Sequence, residues 1–318
     1  MRLIDMHCDT FWLMMRQQDV SLKKNDLCID IEKMKTAGSM AQFFASFIHM
    51  DHFQEENAFG DAYQHALEMI EYGKVELAKC SNSIAIAHNY EELIINRDNG
   101  KMSAILTVEE GGIIDGKMEN LEELYRQGIR LITLTWNHEN CIGYPNSCEA
   151  ELMNRGLKTF GIEVVQRMNE LGMIVDVSHL SDGGFWDVMK YSTKPVVASH
   201  SNARALCNHP RNLTDNMIKA LAEQGGVAGV NFYPYFLREN GKATVSDIAE
   251  HLWHMYQVGG EDVVAFGTDF DGFDEGELDI AHMGEMKFVY DAVKKRGFTE
   301  RQMEKVLSGN ILRVLKDM

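Results

Sequence analysis

Residues 3–10 read Leu-Ile-Asp-Met-His-Cys-Asp-Thr, an apolar start followed by polar residues, which is typical of a β-strand and the turn after it. Successive side chains on a strand point to opposite faces, so His7 and Asp9 face the same side. An imidazole nitrogen and a carboxylate oxygen together suit a metal such as zinc. This pair alone is a weak signal, and the interpretation depends on ligand types at the ends of other strands.

The rest of the chain alternates strand-like runs with stretches of helical periodicity. The strand-like runs are 2–8, 41–50, 103–109, 131–136, 173–178, 195–200, 226–233 and 263–269. The helical stretches are 61–80, 118–127, 151–171, 181–191, 214–224, 244–258, 282–296 and 299–316. We expect Asp182, Thr214 and Thr299 to be N-caps of three of these helices.

This alternation predicts an α/β fold with a parallel sheet, and eight strands are the number that closes a (β/α)8 TIM barrel. A doubly wound open sheet is the alternative, but no Gly-rich first turn supports it. Because no linker, repeat or low-complexity segment interrupts residues 1–318, we expect a single barrel domain.

The composition indicates an acidic globular protein, since 31 Lys and Arg against 48 Asp and Glu give a net charge of −17. Nucleic acids and anionic membranes bind basic patches, so we expect neither as a partner. The six cysteines lack Cys-x-x-Cys spacing, and strand-like sequence from residue 2 leaves no room for a secretory leader. We therefore expect a cytoplasmic protein with free thiols. A homodimer is compatible with the sequence, which does not determine the oligomeric state.

Functional residues of a TIM barrel follow the carboxyl ends of its strands. Residue types that bind metals occur at five of the eight predicted strand ends. They are His7 with Asp9, Glu109 with Glu110, His179, His200, and Asp269 with Asp271. One histidine at such a place is more often a structural residue, but five converging positions favour a metal centre.

Several motifs in the same order resemble the membrane dipeptidase (renal dipeptidase) family M19 of the amidohydrolase superfamily. They are Asp-Met-His-Cys-Asp (5–9), Leu-Thr-Val-Glu-Glu-Gly-Gly (106–112), Asp-Val-Ser-His-Leu-Ser (176–181), Ala-Ser-His-Ser-Asn (198–202), His-Pro-Arg-Asn-Leu-Thr-Asp (209–215) and Phe-Gly-Thr-Asp-Phe-Asp-Gly (266–272). The resemblance spans essentially the whole chain and implies a zinc-dependent hydrolase of small dipeptides. It also implies two zinc ions, the first held by His7, Asp9 and Glu109 and the second by Glu109, His179 and His200.

Two adjacent glutamates compete for the bridging position. Comparison with the family's Val-Glu-Gly-Gly aligns Glu109 with the ligand and Glu110 with a glycine, and only one of two neighbours on a strand can face the barrel axis. We expect Glu109 to bridge, with Glu110 exposed to solvent or lying behind the ligands. Two zinc ions sharing a carboxylate would lower the pKa of a bridging water, and this hydroxide would attack a zinc-polarised carbonyl.

Asp269 resembles the family's acid/base residue, and we expect it to carry the proton to the leaving amine. Ala265 and Gly267 occupy the inward positions of its strand and leave space beside the metals. A helix cap or a third metal ligand is the alternative for Asp269.

Arg211, Trp136 and Tyr235 are the predicted substrate contacts. The planar fork of arginine suits bidentate capture of a carboxylate, and the resemblance implies that Arg211 binds the free C-terminal carboxylate of a dipeptide. Without the resemblance, an ordinary surface charge is the simpler interpretation of Arg211. Tyr235, together with Tyr233, is expected to line the same pocket.

The chain departs from its family after the fourth strand. Better-known members have Thr-Leu-Thr-His there, and their histidine helps to hold the scissile carbonyl, whereas this chain has Thr133-Leu134-Thr135-Trp136-Asn137-His138. We expect His138, two residues further on and on the same face if the strand continues, to supply the lost donor. The alternative is that the carbonyl relies on zinc alone and Trp136 narrows the substrate pocket.

The remaining histidines of interest are not assigned to the site. His251 and His254 lie on a helical stretch and are expected to be exposed, whereas His49 and His52 are expected in the core or at the rim. Two rival functions stay open. One is hydrolysis of another small amide or cyclic amide, and the other is a non-catalytic binding barrel.

Overall fold

A closed barrel of eight parallel strands organises the molecule. The structure is a computed structural model that describes residues 2–17, 19–53 and 57–318. The barrel strands are β1 (Leu3–Asp5), β2 (Ser39–Phe47), β3 (Met102–Glu109), β4 (Ile129–Thr133), β5 (Ile174–Asp176), β6 (Val197–Ala198), β7 (Val227–Val230) and β8 (Val264–Phe266). Each strand pairs in parallel with the next, and β8 pairs with β1 to close the ring. The predicted (β/α)8 TIM barrel is confirmed.

Helices surround the barrel and connect its strands. They are α1 (Thr10–Met15), α2 (Ile31–Ala37), α3 (Ala58–Lys79), α4 (Tyr90–Asp98), α5 (Met118–Arg126), α6 (Ala150–Met153), α7 (Thr159–Leu171), α8 (Asp182–Tyr191), α9 (Asp215–Glu223), α10 (Pro234–Leu237), α11 (Val245–Gly259), α12 (Met286–Arg296), α13 (Glu300–Glu304) and α14 (Asn310–Asp317). Short 3-10 helices cover Met50–His52, Gly111–Ile114 and Met283–Glu285, and a π-helical stretch covers Lys305–Gly309. An extra strand, Ile84–Ile86, pairs with β3, and Lys242–Ala243 pairs with Glu277–Leu278.

The strands are buried on both faces, which explains their nearly continuous apolar sequence. All eight residues of β3 are buried, for example. One set of side chains, including Ile4, Phe43 and Leu131, fills the barrel interior with Val314 of α14, and the other set packs against the surrounding helices. The barrel is therefore a packed core whose functional surface lies at its ends.

Several local predictions differ from the structure. The predicted helix 151–171 is two helices, because the chain turns between α6 and α7, where the backbone N–H of Leu157 donates to Asp187. Ser181 rather than Asp182 caps α8, since the serine hydroxyl accepts the N–H of Gly184. The N-caps at Thr214 and Thr299 are confirmed.

Among the described residues, no helix combines the length and the apolar character that crossing a membrane requires.

Candidate metal centre and active site

The structure brings the five predicted ligands together at the carboxyl ends of the barrel strands. His7 and Asp9 follow β1, Glu109 is the last residue of β3, and His179 and His200 follow β5 and β6. All five side chains are buried. Parallel strands of a closed barrel end at the same rim, which is why residues up to 193 positions apart in sequence meet here.

Glu109 lies in the middle of this group and faces histidines on two sides. Its Oε2 is 3.3 Å from Nε2 of His7, while its Oε1 is 3.1 Å from Nε2 of His179 and 3.4 Å from Nε2 of His200. Burial raises the pKa of Glu109, but the charge of His7 is the main opposing effect, and this pKa lies well below its usual range. The carboxylate is therefore ionised and has the geometry of a shared ligand.

Hydrogen bonds at Nδ1, the ring nitrogen that points away from Glu109, constrain the tautomers of His179 and His200. Nδ1 of His179 is 3.1 Å from Oδ1 of Asn137, and Nδ1 of His200 is 2.7 Å from Oγ of Ser199. An amide oxygen only accepts, so Nδ1 of His179 carries the proton and its Nε2 presents a lone pair. Burial lowers the pKa of His179 to about 4, which keeps this imidazole neutral at pH 7.

The Nε2 atoms of His179 and His200 face each other at 3.1 Å. They lie 3.1 and 3.4 Å from Oε1 of Glu109. Burial also lowers the pKa of His200 well below its usual range. The lone pair of His179 and the ionised Glu109 carboxylate are both directed at this point, where a cation would be stabilised. The donor atoms therefore fit a metal ion.

His7 and Asp9 form the second half of the centre. Nε2 of His7 is 3.4 Å from Oδ2 of Asp9, and the buried Oδ1 of Asp9 has no hydrogen-bond partner within the described residues. Burial lowers the pKa of His7, but the Glu109 and Asp9 carboxylates outweigh it and raise this pKa well above its usual range. Buried polar atoms are normally satisfied, so a cation that replaces the His7 proton explains this arrangement.

In the described part of the chain, two groups of possible metal ligands have donor atoms within 4.8 Å of one another, and His7 belongs to both. One contains His7, Glu109 and His200, and the other contains His7, Asp9 and Asp269. Imidazole and carboxylate donors of this kind suit zinc and similar divalent metals.

Glu110 is turned away from the ligands and is fully buried. Of its two expected positions, exposed to solvent or behind the ligands, the structure has the second. It has a positive φ of 91°, and its carboxylate accepts N–H groups from Gly112, Trp136 and Asn140. Burial raises the pKa of Glu110 to about 7. Glu110 therefore anchors the loop after β4 behind the metal centre.

Asp269 lies beside the first ligand pair. Its Oδ1 is 3.7 Å from Nε2 of His7, and its Oδ2 accepts a hydrogen bond from Nδ2 of Asn231 at 2.8 Å. Burial raises the pKa of Asp269 to about 8, against the lowering effect of His7. A carboxyl group with a pKa near neutrality is suited to proton transfer.

Arg211 is a buried cation behind the centre rather than a surface charge, with 5% of its surface exposed. Its Nη1 donates to Oγ of Ser201 and its Nη2 to the carbonyl of His200, while Nε has no partner among the described residues. Its guanidinium lies 5.4 Å from the ring centre of Phe236. Burial lowers the pKa of Arg211 to about 10, which still leaves it charged at neutral pH.

A cavity of about 290 Å³ opens above the ligands. Its floor includes Asp9, Glu109, His179 and Asp269. Its walls are mainly aromatic and its lip is acidic; they comprise Trp12, Phe47, His49, Trp136, Asn137, Tyr233, Phe236, Gly272, Phe273, Asp274 and Glu275. This volume lies at the small end of ligand pockets, which are about 300–1,000 Å³.

The sequence matches the profile of Peptidase family M19, the membrane dipeptidases, over residues 1–318. The chain belongs to the membrane dipeptidase family. An uncharacterised dipeptidase of Schizosaccharomyces pombe is 33% identical over 296 residues, which cover 90% of this chain and 71% of that protein.

Two solved structures have the same fold as this M19 chain. The metallopeptidase dipeptidase AC of family M19 superposes with a TM-score of 0.90 at 26% identity, covering 100% of this chain and 98% of that one. A Rhodobacter sphaeroides metallopeptidase, solved with a phosphinate mimic of the dipeptide L-Ala-D-Ala, gives a TM-score of 0.88 at 24% identity and covers 100% and 99%. The second structure supports the fold, and the family match with the M19 relatives at 26% and 33% identity supports the predicted metallo-dipeptidase function.

His138 is not among the residues that line the cavity of this M19 chain. β4 ends at Thr133, so Trp136 and His138 lie in a loop, and the two-residue alternation of a strand does not apply to them. Trp136 lines the cavity, whereas the His138 side chain is 39% exposed with its Nε2 3.1 Å from Oδ1 of Asp51. This geometry favours the alternative in which Trp136 shapes the pocket.

The structure places one of the two candidate tyrosines of this dipeptidase in the cavity. Tyr233 lines both the cavity and a neighbouring surface depression beside Cys207 and His209. Tyr235 is 37% exposed and lines the depression but not the cavity, with its ring centre 5.6 Å from that of Tyr233.

The cavity has an aromatic wall formed by Trp12, Phe47, His49 and Trp136, of which sequence reasoning assigned only Trp136 to the site. The ring centres of Phe47 and Trp136 are 5.0 Å apart, and those of His49 and Trp136 are 4.8 Å apart. Phe47 ends β2, so the strand-end rule could have found it, whereas Trp12 lies on a helix that the sequence pattern did not predict.

Proposed function

We propose that the chain is a binuclear zinc dipeptidase. The first ion would bind His7, Asp9 and Glu109, and the second would bind Glu109, His179 and His200. The observation that carries the proposal is the position of the Glu109 carboxylate, with one oxygen 3.3 Å from Nε2 of His7 and the other 3.1 Å from Nε2 of His179. Carboxylates that bridge two metals have this arrangement of ligands on both sides.

Two metal ions held by these residues would supply a water of lowered pKa and would polarise the carbonyl of the scissile bond. Asp269 would take the proton from this water and give it to the leaving amine. Its Oδ1 faces the first ligand pair, and Asn231 holds its Oδ2 in place. Nearby cations favour the ionised carboxylate, which makes Asp269 a base at neutral pH.

Arg211 would attract the free C-terminal carboxylate of the dipeptide. A buried positive charge beside Phe236, which lines the cavity, and an unpartnered Nε–H support this role. The dipeptide mimic bound by the Rhodobacter sphaeroides relative supports the same class of ligand. Trp136 and Tyr233 would shape the pocket around the side chains of the substrate.

A substrate panel tests the proposal against its rivals. The protein is stripped with a chelator, reloaded with zinc, and assayed on free dipeptides, on their N-acylated and C-amidated forms, and on cyclic amides. Turnover that requires zinc and a free C-terminus is the expected result. Cleavage of cyclic amides alone would support the rival amidohydrolase, and zinc binding without turnover of any compound would support a binding barrel.

A further inference from the structure

Three barrel strands meet at the buried carboxylate of Asp176, behind His200. Oδ1 of Asp176 accepts the backbone N–H groups of Ser178 and Ser199 at 3.0 and 2.8 Å. Oδ2 accepts the hydroxyls of Thr133 and Ser199 at 2.7 and 2.5 Å. Both oxygens are thus fully used by four donors, and none of these groups touches the cavity.

The hydroxyl of Ser199 links this carboxylate to the metal ligand. It has one proton and two lone pairs, and it lies 2.5 Å from Oδ2 of Asp176 and 2.7 Å from Nδ1 of His200. A carboxylate only accepts, so the serine proton points to Asp176. The hydroxyl oxygen must then accept from His200, which places the imidazole proton on Nδ1.

The hydroxyl of Ser178 is consistent with this order of donors. It accepts the backbone N–H of His200 at 3.1 Å, and it lies 3.3 Å from Oγ of Ser199, whose second lone pair is available. The hydroxyl hydrogens of Ser178 and Ser199 and the Nδ1 hydrogen of His200 therefore each have one acceptor. Nε2 of His200 is left with its lone pair facing Oε1 of Glu109 at 3.4 Å.

We propose that Asp176, acting through Ser199, fixes His200 as the Nδ1–H tautomer and thereby sets the affinity of the second metal. Asp176 and Ser199 are positioning residues, since neither touches the cavity. The inference rests on the proposed zinc centre. Partners of this kind typically contribute 10–100-fold to metal affinity.

Asp176→Asn is the sharpest perturbation because the structure dictates the orientation of the new amide. Two backbone N–H groups need an acceptor at the Oδ1 position, so the amide oxygen must lie there and the NH2 group must face Ser199. The serine would then accept from the amide and donate to Nδ1 of His200. The imidazole proton would move to Nε2, where it blocks the metal.

The experiment combines NMR of the metal-free protein with zinc titration of the same variants. Long-range 15N–1H spectra of protein labelled at histidine distinguish the two tautomers, and the signal missing in His200→Gln assigns the residue. We expect Nδ1–H in the wild type and Nε2–H in Asp176→Asn, with second-site zinc affinity 10–100-fold lower and the first site unchanged. Ser199→Ala should weaken the second site to a similar extent, which provides the test if Asp176→Asn does not fold.

Thr133→Val is the matched control, since it removes a hydrogen bond to the same Asp176 oxygen without touching the imidazole. It should lower the melting temperature as Ser199→Ala does, yet leave the tautomer and both zinc affinities unchanged. Equal loss of zinc in Thr133→Val and Ser199→Ala would show a purely structural role and overturn the inference. An Nε2–H tautomer in the wild type would also overturn it. If wild-type protein binds no zinc, the proposed function itself fails, whatever the tautomer.

Discussion

Replacing Asp269 with asparagine should abolish proton transfer while leaving the metal centre intact. The backbone of Asp269 has a positive φ of 62°, which asparagine tolerates better than most residues, so the substitution adds little strain. The amide oxygen can still accept the hydrogen bond from Asn231 that Oδ2 now receives. An amide, however, neither takes nor gives a proton at neutral pH.

Loss of a general acid/base typically costs about 10²–10⁴ in rate, or about 3–5 kcal/mol of barrier. Weakening the one hydrogen bond from Asn231 accounts for about 1.5–3 kcal/mol at most when the acceptor is charged. We therefore expect kcat on a free dipeptide to fall at least 10²-fold in Asp269→Asn. Asn231→Ala, which keeps the carboxylate, should lose clearly less.

The assay is steady-state kinetics with metal analysis of the same samples. Both metals should remain bound in Asp269→Asn. If one metal is lost, Asp269 is a ligand, in line with its place in a group with His7 and Asp9, and the proton-transfer argument is wrong. A fall in kcat of less than tenfold would also refute it.

Three further predictions follow from other parts of the chain. Arg211→Lys keeps the charge but loses the planar fork, so kcat/KM on free dipeptides should fall at least tenfold, and an unchanged value would contradict carboxylate capture. His138 does not line the cavity, so kcat of His138→Ala should change less than about fivefold, whereas Trp136→Ala should raise KM. The reverse pattern in steady-state kinetics would place His138 in the site. Burial lowers the pKa of His251 to about 4, so the folded state resists its protonation, and stability should fall as the pH drops from 6.5 to 4 by up to about 3 kcal/mol. Urea unfolding at several pH values should show a weaker pH dependence in His251→Gln, and an identical slope would refute this assignment.

The barrel and the convergence of the five candidate metal ligands could be predicted, because the barrel follows from local pattern and the candidates from the strand ends together with the family resemblance. Apolar runs of strand length alternate with helical stretches, and the parallel strands must end at one rim. His7 and Asp9 lie two positions apart just after a strand, so the expectation of a shared direction needed only the strand alternation. The choice of Glu109 over Glu110 also needed the comparison with the family's Val-Glu-Gly-Gly, and the structure has Glu109, not Glu110, facing the centre.

Residues whose position depends on distant contacts could not be predicted in this way. The loop that holds His138 leaves the strand after Thr133 and is anchored where the N–H of Trp136 donates to Glu110, 26 residues earlier. The expectation that His251 is exposed is wrong. Its Nδ1 accepts the N–H of Ala203, 48 residues away, and its Nε2 lies 3.1 Å from the carbonyl of Leu237. Such pairings depend on how elements pack, which local periodicity does not encode.

The metal content of active protein tests the central claim most directly. Zinc is measured by elemental analysis in wild-type protein at full dipeptidase activity and in Glu109→Ala, which removes the carboxylate between the two ligand groups. The proposed centre requires two zinc ions per chain in the wild type and loss of affinity for both ions in the variant. One ion or none in fully active protein, or two ions retained without weakening in Glu109→Ala, would contradict it.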